Sequence, residues 1–158
     1  MPIIKMFHSN RNLTIAETIA RYVTNLKKSP NRLGGAIILE NDAVKSITNI
    51  AQQFGEDKDI CLEHFVITFR PEESVDPAEA NKIGDEIITF IWYTCQTFYS
   101  VHEDMTDLHI HLLIDPISFL DGYRFCKTNE EFDHFLMTLG GILGKNHGLQ
   151  TFWDTWSR

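Results

Sequence analysis

Residues 102–115 read His-Glu-Asp-Met-Thr-Asp-Leu-His-Ile-His-Leu-Leu-Ile-Asp. His109 and His111 stand two apart in an apolar, extended-prone run. Successive side chains of a strand alternate faces, so both imidazoles project to one side while Ile110 and Leu112 project to the other, toward a core. The stretch from Glu103 to Asp107 is turn-like. With Thr97–His102 as the preceding strand, a hairpin returns His102 beside His109, and three imidazoles converge on one point from a rigid sheet. That donor set suits a divalent metal ion with open coordination positions. Asp104 is available to orient a ligating ring through its second nitrogen. The same residues also read as a polar sheet face wetted by solvent, and a His-x-His pair alone does not separate the two.

The elements that must position this cluster follow from patterning. Pro2 to Phe7 reads as a short strand. Thr14-Ile-Ala-Glu17 is a capping box that opens a helix running to about Leu26 and stopping before Ser29-Pro30. Gly34 to Leu39 is a second extended run, and Ala43 to Phe54 reads as helical, ending at Gly55. Leu62 to Phe69 is strand-like. Asp76-Pro77 starts a helix to about Tyr93, with Asp as cap and Pro in the first turn. After the hairpin, Asp121-Gly122 marks a turn. Thr128-Asn-Glu-Glu131 is a further capping box, whose helix runs to about Leu143 and is punctuated by Gly144 and Gly148. Mixed strands and helices around a central hairpin predict an α+β fold, a mostly antiparallel sheet with helices packed on one face and the histidines on the other. The length, 158 residues, predicts a single domain over 1–158.

Composition narrows the function classes. A net charge of −8 argues against a nonspecific polyanion binder, because neutralising phosphates takes Lys and Arg. The positive residues that cluster are Lys27, Lys28 and Arg32, near Arg21 and Arg11, and they also read as a solvated helix end. Cys61, Cys95 and Cys126 are far apart, odd in number and without a C-x-x-C, as in a reduced cytoplasmic chain. No segment reads as a signal peptide or a membrane span.

Several stretches together resemble the relaxases, the mobilisation nuclease domains of conjugative and mobilisable elements, a branch of the endonucleases named for a His-hydrophobe-His motif. His102-Glu-Asp104, a short polar spacer, and His109-Ile-His111-Leu-Leu-Ile match the family's metal motif without a gap. Ala20-Arg-Tyr22-Val-Thr-Asn25-Leu-Lys-Lys28 resembles the helix end that holds the family's nucleophilic tyrosine. Glu63-His64-Phe-Val-Ile-Thr68-Phe-Arg-Pro71 resembles its Ser-Phe strand, and Asp76-Pro-Ala-Glu-Ala80 the helix that follows. Gly122-Tyr-Arg124 and Thr128 to Leu149 resemble the closing segments. Thr68 stands where the family has Ser, and Asp115 where it has Asn.

The resemblance implies a site-specific, single-strand DNA nicking enzyme acting in plasmid or mobile-element mobilisation. Tyr22 would attack a backbone phosphorus. His102, His109 and His111 would hold Mg²⁺ or Mn²⁺. Asp104 would orient a ring, Lys28 or Lys27 would lend positive field to a phenol of reference pKa ~10, and His64 would join the catalytic group. The implied partners are single-stranded DNA at a transfer origin and accessory mobilisation proteins. Apart from the resemblance, Tyr22 reads as a core-facing helix aromatic and His64 as a packed strand histidine. Two other classes stay open: a non-catalytic relative that binds metal or DNA as an accessory module, favoured by the acidic balance, and an unrelated three-His metallohydrolase, which would not depend on Tyr22.

Overall fold

The computed structural model describes residues 1–8, 13–25, 33–36, 49–50, 52–55, 62–91, 94–103 and 107–153. In chain order the elements are β1 (Ile3–His8), α1 (Leu13–Val23), β2 (Leu33–Ala36), β3 (Glu63–Phe69), a 3-10 turn (Pro71–Glu73), α2 (Pro77–Ile91), β4 (Thr97–His102), β5 (Leu108–Ile114), α3 (Asn129–His147) and β6 (Phe152–Trp153). The six strands form one sheet in the order β2-β4-β5-β3-β1-β6. All pairings are antiparallel except that of β1 with β6. The α+β reading therefore holds. The two-residue β6 at the sheet edge had no signal in its sequence.

β5 lies at the centre, and its alternation decides what each face carries. Ile110, Leu112 and Ile114 are fully buried on one face. With Phe65, Ile67 and Phe69 of β3 and Val101 of β4, they form the main core under α2 and α3. α2 follows Asp76, whose Oδ1 accepts the Glu79 amide at 2.8 Å, as expected of an Asp cap. Its Gly84 sits directly over Tyr99, where a Cβ would collide with the ring; Gly is what lets the helix come this close. α3 carries the expected capping box: Thr128 Oγ1 accepts from the Glu131 amide, and Glu131 Oε2 accepts from the Thr128 amide. α3 extends past Leu143 and Gly144 to His147, because the left-handed C-cap falls on Gly148 (φ 67°). His147 Nδ1 pairs with Glu79 and its Nε2 with Glu86, tying the end of α3 to α2.

The other sheet face is not bare. Ala16, Ala20 and Val23 of α1 pack on Leu62, Phe98 and Leu113 in a second apolar cluster. The small alanines bring α1 close to the sheet, so this helix covers part of the face that carries the histidines. The expected extended run 34–39 is described only as far as Ala36, and of the expected helix 43–54 only residues 49–50 and 52–54 fall within the described part. Among the described residues, no helix is long and apolar enough to cross a membrane.

Candidate functional site

The hairpin register places His102 directly opposite His109. Opposed residues of an antiparallel pair share a face, and alternation adds His111 to it. The three rings meet: His102 to His111 is 4.4 Å between centroids, His109 to His111 4.8 Å and His102 to His109 5.4 Å. One potential ligand atom from each lies within 4.8 Å of the others. The solvated-face reading fails here, since His102, His109 and His111 are 0%, 4% and 5% exposed.

Each ring is oriented through one nitrogen. His102 Nε2 lies 3.2 Å from the carbonyl of Val23, in the last turn of α1, where carbonyls lack a helical partner. His109 Nδ1 lies 2.9 Å from the carbonyl of Asp107. His111 Nδ1 lies 2.8 Å from Nε2 of His64 on the neighbouring strand. An ion would then be met by Nδ1 of His102 and by Nε2 of His109 and His111. A neutral ligand set with the opposite ring nitrogen hydrogen-bonded is the usual construction of an imidazole metal site. By this chemistry, the three residues fit a divalent cation.

His64 reaches His111 diagonally, since the register sets it opposite Leu113 and sets Val66 opposite His111. Burial first, then the charge of nearby His102, pushes the His64 imidazole down to about 4. At neutral pH the His64 ring is therefore uncharged.

Tyr22 approaches from α1. Its ring stands edge-on to His102 and to His111, with centroids 5.3 Å from each, and the residue is 37% exposed. It is not the core aromatic that its helical spacing suggests. Tyr99 and Tyr123, the other described tyrosines, are remote from the cluster. Tyr99 is buried on the opposite face with its hydroxyl donating to Asp85, and the Tyr123 hydroxyl donates to Glu131. Asp104, Lys27, Lys28 and Tyr93 lie outside the described residues.

A cavity of about 430 Å³ opens on the cluster, lined by Phe7, Ile19, Tyr22, His64, Val66, Thr68, Asp107, His109 and His111. Phe7 and the carbonyls of Val23 and Asp107 border the site and were not named by motif reading. Thr68, which stands where the family has Ser, lies opposite His109 across β3 and β5, and the cavity places it beside the cluster. The carbonyls carry no side-chain signal at all.

Comparison with known proteins bears on the fold and the family. Among solved structures, one similar chain is the MobM relaxase domain (MOBV; Mob_Pre) bound to a 26-nucleotide pMV158 oriT DNA. It has a TM-score of 0.62 and 14% sequence identity, over 99% of this chain and 93% of that one; at that identity the likeness speaks to the fold. No curated protein matches the sequence significantly. The family model for relaxases of the MobA/VirD2-like nuclease domain matches residues 22–139, a span that begins at Tyr22 and includes all three clustered histidines. This chain belongs to the MobA/VirD2-like relaxase nuclease domain family.

Proposed function

We propose that the protein nicks one strand of DNA at a mobilisation origin by transesterification, with Tyr22 as nucleophile beside a divalent ion held by His102, His109 and His111. The observation that carries this is the meeting of the Tyr22 ring with a buried three-imidazole cluster at 5.3 Å. A nucleophile and a cation seat on separate elements share one cavity.

A divalent ion in this seat would neutralise the non-bridging oxygens and polarise phosphorus, which otherwise repels a nucleophile. Three neutral imidazoles bind such an ion without cancelling its charge, and they suit Mn²⁺ better than Mg²⁺. The Tyr22 oxygen forms a bond to phosphorus as the bond from phosphorus to the 3′ oxygen breaks. The phenol gives up its proton, the departing 3′ oxygen takes one up, and a 5′-phosphotyrosyl link remains. That link conserves the phosphodiester, so the strand can be rejoined. His64 serves as a positioning residue. If Nε2 of His111 held the ion, its Nδ1–H would donate to Nε2 of His64 and so fix the ring. Lys28 would lend positive field to the phenol.

The test is incubation with labelled single-stranded DNA from the source element's transfer origin and Mn²⁺. A covalent protein–DNA band lost in Tyr22→Phe and in His109→Ala is the expected result. A band that survives Tyr22→Phe would move the nucleophile elsewhere. No adduct with any metal would favour an accessory, non-catalytic role.

A further inference from the structure

We propose that Phe7 is a stacking platform for a nucleobase of the bound strand, one step outside the histidine cluster; this rests on the DNA-nicking reading above. Phe7, His64 and His111 stand in file. Phe7 and His64 have centroids 5.5 Å apart at 32°, and His64 and His111 5.1 Å apart at 27°. The inner two rings are buried, whereas Phe7 is 48% exposed and lines the mouth of the same cavity. β1 has no need of a large aromatic here, since its core-facing positions are Ile4 and Met6.

An aromatic file with an open outer end accepts one further flat ring, and a nucleobase of a single strand offers that surface whatever its identity. The electrostatics point the same way. Among the described residues lining the cavity there is no Lys or Arg, and Asp107 is there instead. A net charge of −8 gives the chain no overall excess of cationic surface for the phosphates on which most DNA binding draws. Stacking engages the strand through its bases and needs no such surface.

The experiment compares two labelled probes by fluorescence anisotropy in Mn²⁺: oligo-dT and an abasic oligomer of the same length, which keeps the phosphates and lacks the bases. The wild type is expected to bind oligo-dT about ten-fold more tightly than the abasic strand. Phe7→Ala should lose that preference while the salt dependence of binding stays unchanged, and Phe7→Trp should restore it. Circular dichroism and melting of Phe7→Ala check that the half-exposed site leaves the fold intact. A wild type that binds both probes alike, or a Phe7→Ala variant that keeps the preference, overturns the platform. A wild type that binds neither probe overturns the platform as well, while the adduct assay with the transfer-origin strand tests the DNA reading separately.

Discussion

Asp115 offers a test of the physical reasoning that is independent of the chemistry. It follows β5, is 0% exposed, and folds back so that its Oδ1 accepts the Ile117 amide at 2.9 Å. Burial pushes its carboxyl up from 3.8 to about 7, the Ile117 amide opposing only in part. The folded state thus holds this proton more tightly than the unfolded chain does. The group's contribution to stability is complete below about pH 4 and is lost as pH rises toward 7. The shift is roughly three pH units, and at 1.36 kcal/mol per unit the charged, buried carboxylate costs up to about 4 kcal/mol above pH 7. Asp115→Asn keeps an acceptor for Ile117 and removes the charge. It should match the wild type near pH 4 and exceed it at pH 8, by roughly 10 °C in Tm for a chain of this size. Thermal unfolding of both proteins across this range is the assay, and titrations common to both cancel in the difference. An advantage that is flat with pH, or a variant less stable at pH 8, would refute the argument.

Two other perturbations probe the site and the packing. His64→Ala should weaken Mn²⁺ binding roughly 10–100-fold, the usual scale for loss of a group that orients a ligating ring. His64→Gln, which can still accept from His111, should recover much of it, and calorimetric Mn²⁺ titration distinguishes the two. Gly84→Ala should cost about 1–3 kcal/mol in chemical denaturation, because the added methyl meets the Tyr99 ring, which is held by hydrogen bonds to Asp85 and the Asn81 carbonyl.

The features legible in the chain alone are those that short-range geometry can carry. The two-residue period of a strand put His109 and His111 on one face, and a short hairpin returned His102 to them, because both rules act within a few residues. The Thr128 capping box and the Asp76 cap were legible for the same reason. The family motif added Tyr22, which helical spacing alone had assigned to a core. Tertiary structure decided the rest. Tyr22 reaches the histidines because Ala16 and Ala20 let α1 lie close on Leu62, Phe98 and Leu113, residues far away in sequence. His64 meets His111 only through the β3–β5 register, in which each face of one strand is matched to a face of the other. The left-handed end of α3 falls on Gly148 rather than near Gly144, and His147 there pairs with Glu79 and Glu86 of α2. Long-range pairing depends on the whole sheet and its covering helices settling together. No local pattern encodes it, and the cavity shared by phenol, imidazoles and Phe7 exists only once that has happened.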